Sequence, residues 1–144
     1  MQIVKNRRLA RELVLQALYA YEFTKDAPAK ILQDLKRYNI VEKEMENYIF
    51  ELFTKAIKYQ DWSKKEVISR LKNWDYKRVA LIDRLILQMM IVEMVYMDEI
   101  PPKVSITEGV EIAKKYSTED SGAFINGILD SVYHALEELH QSIK

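Results

Sequence analysis

The chain has 144 residues, 49% of them hydrophobic, and its 22 Lys and Arg are matched by 22 Asp and Glu. Such a length suits one domain with a real core, the composition excludes a disordered chain, and 3 Gly with 3 Pro are too few for an all-β fold. The lack of cysteine excludes disulfides, thiolate catalysis and Cys-based zinc sites and points to a reducing cytoplasm, while a net charge of +0 means that any nucleic-acid binding must use a local patch.

The first element is the most informative. Lys5, Arg7, Arg8 and Arg11 precede or open a strongly apolar stretch, with no acid before Glu12. At about 100° per residue, Ala10, Leu13, Val14, Ala17 and Tyr21 share one arc, while Arg8, Arg11, Leu15 and Tyr19 fall on another. The pattern predicts a helix over about Asn6 to Phe23 that packs on one side and presents guanidinium groups on the other. Cations at a helix N-terminus oppose the macrodipole. They read either as a solvated basic end or as an anion site, and this stretch alone leaves both open. Glu12 and Gln16 interrupt the apolar run and no small-residue cleavage site follows, which argues against a signal peptide.

Lys25-Asp26-Ala27-Pro28 ends that helix, and a short second one is expected from about Pro28 to Tyr38, broken by Asn39-Ile40. A third, about Glu42 to Gln60, carries Met45, Tyr48, Ile49, Leu52, Phe53, Ala56 and Ile57 at helical spacing. Ser63 and Glu66 fit a capping box opening a fourth helix to about Asn73. The fifth, about Tyr76 to Met97, is apolar nearly all round, as expected of a helix surrounded by others. Its polar exceptions are Arg84 and Gln88 on one side and Asp83 and Glu93 on another. Its most apolar run, Leu85 to Met97, is about thirteen residues and too short to span a bilayer.

Pro101-Pro102 stops this helix, and Ser105 with Glu108 offers a capping box for a sixth, with Thr107 as a competing cap. Ser117 or Thr118 can cap a seventh helix running through Val132 to about Leu136. Gly122 and Gly127 inside it are expected to allow close backbone approach, and a frayed tail is expected after His140. No segment reads as a strand. The fold class is therefore all-α, about seven helices, with a seam near Asp75 dividing helical halves of roughly 1–74 and 75–144.

The residues offer no catalytic constellation. His134 and His140 are six apart, about 240° round a helix, and do not converge on a metal. No glycine-rich phosphate loop or nucleophile elbow is present. No cofactor is expected. What remains is recognition, with Arg7, Arg8 and Arg11 suited to phosphates and Tyr19 and Phe124 offering planar faces to unstacked bases.

Four stretches, in order, resemble the NusB family of transcription antitermination factors. They are Arg7-Arg8-Leu9-Ala10-Arg11-Glu12 with Leu15-Gln16-Ala17-Leu18-Tyr19; Ile82-Asp83-Arg84-Leu85-Ile86-Leu87 with Glu93; Ile100-Pro101-Pro102-Lys103-Val104-Ser105-Ile106-Thr107-Glu108; and Ala113-Lys114-Lys115-Tyr116 leading to Asp120-Ser121-Gly122-Ala123-Phe124-Ile125-Asn126-Gly127-Ile128-Leu129-Asp130. The resemblance implies two small helical subdomains and a non-enzymatic, cytoplasmic role. It implies binding of boxA-type RNA together with NusE, a ribosomal protein, and through them association with other Nus factors and RNA polymerase. It implies RNA contact by Lys5, Arg7, Arg8, Arg11, Tyr19, Asp120, Phe124 and Asn126, and places Arg84 and Gln88 nearer the NusE face. Leu9 and Ala123 stand where some members carry Arg and Lys, and Gln88 where Arg is frequent, so the electrostatics are weaker than the family pattern. The competing reading is an RNA-independent helical adaptor or a homodimer. An enzymatic role like that of the RNA cytosine methyltransferases headed by a similar domain would need a separate catalytic chain.

Overall fold

The computed structural model describes residues 2–72 and 75–143 and divides into two compact units, Met1–Lys58 and Tyr59–Lys144. This boundary lies ahead of the seam expected near Asp75, so the fourth helix belongs to the second unit. The described residues form eight α-helices, a single 3-10 turn and two short strands.

The first unit comprises β1 (Gln2–Val4), α1 (Arg7–Thr24), α2 (Pro28–Lys36), β2 (Asn39–Val41) and α3 (Lys43–Lys58). The strands correct the purely helical expectation. They pair in parallel, with Gln2 opposite Asn39, Ile3 opposite Ile40 and Val4 opposite Val41. Glu42 N–H extends the pairing to the Val4 carbonyl at 3.0 Å. Three residues are too few to show a period-two pattern, which is why neither strand stands out in the sequence.

Asn6 caps α1 by accepting from Leu9 N–H at 2.9 Å. The helix stops where Lys25 turns left-handed, at φ 55°, and its N–H donates to the Tyr21 carbonyl. Helix α1 packs against α2, α3 and β1. Every residue from Ala10 to Leu15 is buried, together with Ala17 and Leu18. This overturns the two-faced picture of α1: Leu15 and Arg11 lie inside, not on a face left to solvent. The α3 stripe meets expectation, with Tyr48, Ile49, Leu52, Phe53 and Ala56 buried.

The second unit contains α4 (Gln60–Ile68), a 3-10 turn (Tyr76–Arg78), α5 (Leu81–Tyr96), α6 (Pro102–Tyr116), α7 (Glu119–His134) and α8 (Leu136–Ile143). Helix α5 is its centre and packs against α4, α6, α7 and α8. Tyr59 stacks on Tyr96 at 3.8 Å between ring centroids, and Trp62 meets the same ring edge-on. The expected end of α4 at Asn73 lies outside the described residues, and the helix stops at Ile68.

Both capping boxes fail for one reason. Ser63 and Ser105 sit inside helices that begin earlier, α4 at Gln60 and α6 at Pro102. Ser63 donates back to the Gln60 carbonyl at 3.1 Å, and Ser105 donates across to Glu93 Oε1 at 2.8 Å. Thr107 likewise lies within α6. Glu93 is thus a buried acceptor, and Asp83 is buried too. The tail after His140 remains helical in α8, and His140 Nε2 lies 3.1 Å from the Val95 carbonyl of α5.

Candidate nucleic-acid interface

The start of α1 holds the first cluster. Asn6 supplies the cap, no acid occupies the first turn, and Lys5, Arg7 and Arg8 are exposed. Anions are the favoured neighbours of such a helix end, because its unpaired N–H groups and macrodipole are positive. Cations there oppose the helix's own field.

Arg11 departs from expectation. It is 1% exposed, and its guanidinium carbon lies over the Tyr48 ring, 5.5 Å from the centroid. Arg7, one turn earlier, lies at the same distance from the same ring. The buried Tyr48 ring therefore holds one buried and one exposed guanidinium. Further along α1, Tyr19 is 45% exposed and its ring sits 4.9 Å from that of Phe23, which is also exposed. Phe23 was not singled out by the sequence pattern, because its position at the helix end hides which side it faces.

The start of α7 holds the second cluster, within the other unit. Thr118 caps the helix, its Oγ1 accepting from Ser121 N–H at 3.1 Å. The hydroxyls of Ser117, Thr118 and Ser121 lie within 3.0 Å of one another in two pairs. Ser121 Oγ donates to Asp83 Oδ2 at 2.8 Å, while Asp83 Oδ1 is buried without a hydrogen-bond partner among the described residues. Asp120 and Phe124, one turn apart, line a cavity of about 270 Å³ together with Arg78, Val79, Ala80, Asp83, Thr118 and Ser121. Phe124 is half-buried and also borders a second, larger groove. It is a wall between two concavities, neither a core residue nor a free platform.

Asn126 is exposed but lines neither concavity, being about 200° round the helix from Phe124. Arg84 and Gln88 are half-buried and border a small cleft with Gln60, Ser63, Lys64, Val67 and Tyr76. The Arg84 guanidinium lies 5.3 Å from the Tyr76 ring centroid, and its Nε is buried. The cations Arg70, Lys72 and Arg78 border the two concavities, yet no local motif marks them. Only the packing of separate elements brings them beside Phe124.

Among the described residues no group of three His, Asp or Glu side chains could hold a metal, and no helix is long and apolar enough to cross a membrane. These features define a class: an all-α protein whose surface presents cations, carboxylates and aromatic rings at two helix starts. The chain belongs to the NusB family, whose model matches residues 8–134. The transcription antitermination protein NusB of Chloroherpeton thalassium is 37% identical over 144 residues, covering 97% of this chain and 68% of that protein. That of Methylacidiphilum infernorum is 40% identical over 128 residues, covering 88% and 90%. The solved NusB of T. maritima matches with a TM-score of 0.82 at 28% identity, covering 96% of this chain and 99% of that one. A structure of antitermination factors NusB and NusE in complex with double-stranded RNA shares the fold, with a TM-score of 0.80 at 23% identity and coverage of 90% and 96%.

Proposed function

We propose that this chain is a non-enzymatic, cytoplasmic transcription antitermination factor. It binds boxA-type single-stranded RNA together with NusE and, through that pair, joins other Nus factors on RNA polymerase. The observation that carries the reading is the start of α1, where Lys5, Arg7 and Arg8 are exposed with no acid in the first turn, in a chain whose relatives are named transcription antitermination proteins. A helix end that opposes its own dipole with cations gains when phosphates arrive.

Lys5, Arg7 and Arg8 are the phosphate contacts. Tyr19 and Phe124 stack on bases, which favours single strands whose bases are splayed. Asp120 and Asn126 offer acceptors and donors to base edges. Arg11, being buried, acts from within by holding Tyr48 beneath Arg7. Arg84 and Gln88 meet NusE through the part of each side chain that its neighbours leave uncovered.

Three phosphate contacts on a single strand give a slope of log affinity against log salt of about −2. The test is the double variant Arg7→Glu with Arg8→Glu, assayed by fluorescence anisotropy with boxA-type RNA and by thermal melting. RNA binding is expected to vanish while melting is retained. A variant that binds as well as the parent chain contradicts the reading.

A further inference from the structure

Gly127 lies inside α7, and its Cβ position faces open space. No glycine among the described residues has a positive φ, and a Cβ built at Gly127 meets nothing within 4 Å. Gly122, by contrast, would bring a Cβ to 3.3 Å from Lys114 Cγ. The close approach expected at both glycines is therefore internal at Gly122 and absent at Gly127. Nothing in the described fold requires glycine there, although a helix interior disfavours it.

The space beside Gly127 is a groove of about 460 Å³, bordered by Arg70 and Lys72 beyond the end of α4 and by Phe124, Gly127, Ile128 and Ser131 of α7. No carboxylate lines it among the described residues. Arg70 is fixed in place: Nε donates to Ser131 Oγ at 3.0 Å, and NH1 donates to Glu66 Oε1 at 3.1 Å. Lys72 is exposed. One wall thus carries an Arg70 held in an ion pair with Glu66 and an exposed Lys72, the opposite wall lacks a side chain at Gly127, and the aromatic edge is the Phe124 ring already assigned to a base.

We propose that this groove receives the sugar–phosphate backbone of the bound single strand beside Phe124. Gly127 leaves the room that the backbone occupies, Lys72 faces its phosphates, and Arg70, paired with Glu66, holds the wall in place. Charge complementarity and continuity with Phe124 select RNA as the occupant over a protein segment. The inference rests on the RNA-binding reading above.

The test uses the full chain with saturating NusE and a short fluorescein-labelled single-stranded RNA carrying a boxA-type element, titrated over a series of salt concentrations. Lys72→Gln is expected to flatten the salt slope by about 0.7, one single-strand phosphate contact. Gly127→Leu is expected to weaken RNA binding about tenfold, the scale of one displaced base–aromatic contact, without lowering the melting temperature. Gly127→Ala is expected to melt at the same temperature or higher, which a residue kept for internal packing would not do. The inference is overturned if both Gly127→Leu and Lys72→Gln bind RNA with the parent affinity and slope. It is equally overturned if Gly127→Leu loses NusE, measured separately by calorimetry, while keeping RNA affinity. Failure of the parent chain to prefer the boxA-type RNA over a scrambled one is a different result and removes the broader reading itself.

Discussion

The starts of α1 and α7 are built on opposite electrostatic principles. Helix α7 begins as an isolated helix prefers, with Thr118 capping and Glu119 and Asp120 in the first turn. Helix α1 has a good cap in Asn6 but no acid in its first turn, and Arg7 and Arg8 stand where carboxylates would be favoured. Stability accounts for the first arrangement and not for the second. A local rule broken at exposed positions is a mark of function, even where part of the cost is offset internally, as it is for Arg7 over the Tyr48 ring. At the start of α7 the mark is different: a half-buried aromatic set between two concavities, with the charges supplied from other elements.

The comparison can be broken most sharply inside the arginine cluster. Arg11→Ala is expected to destabilise the chain by about 3 kcal/mol in denaturant unfolding, because it removes a fully buried side chain together with its contact over the Tyr48 ring. Arg7→Ala should leave unfolding nearly unchanged and act on RNA affinity alone. Equal stability losses for the two would erase the distinction between the buried and the presented arginine.

Phe124→Ala should weaken RNA binding by about 1–3 kcal/mol, the worth of one stacked base, with a smaller loss of stability because the ring is half-buried. Gly109→Ala, on α6, gives a control for the glycine of α7. Its new Cβ would lie 2.9 Å from Leu129 Cδ1 and 3.1 Å from Met90 Cγ. It should therefore cost about 1–3 kcal/mol by overpacking, where Gly127→Ala costs nothing. Smallest are the caps: Asn6→Ala and Thr118→Ala should each lower stability by about 1 kcal/mol. Both should also disturb RNA binding, Asn6→Ala through the neighbouring cations and Thr118→Ala through Asp120 and Phe124, as anisotropy would show.

How far the sequence reached depends on how local each feature is. The end of α1 before Pro28, the apolar α5 and the Thr118 cap are written in adjacent residues, and each is found as expected. The capping boxes at Ser63 and Ser105 were misleading because the same Ser-x-x-Glu spacing also occurs inside helices, where the hydroxyl bonds back to a carbonyl or across to another helix. A helical wheel assigned Arg11 and Leu15 to an outer face because it assumes a single buried side, whereas α1 is enclosed from Ala10 to Leu15. The candidate site was legible only as residue types, and of these Arg7, Arg8, Tyr19, Asp120 and Phe124 are all at least partly exposed. Asp120 and Phe124, four apart on α7, line one cavity, which no reading of the sequence singled out. The approach of Arg70 and Lys72 to the same ring was not legible either, since about fifty residues separate them in the chain and tertiary packing alone joins them.

The most direct test of the central claim is a titration of boxA-type and scrambled single-stranded RNA, each with and without NusE, across salt. The account predicts preference for the boxA-type strand, the highest affinity with NusE present, and a salt slope of about −2 from the three α1 cations, steepening to about −3 with Lys72. Equal affinity for both RNAs, or a salt-insensitive complex with NusE that takes up no RNA, would contradict it.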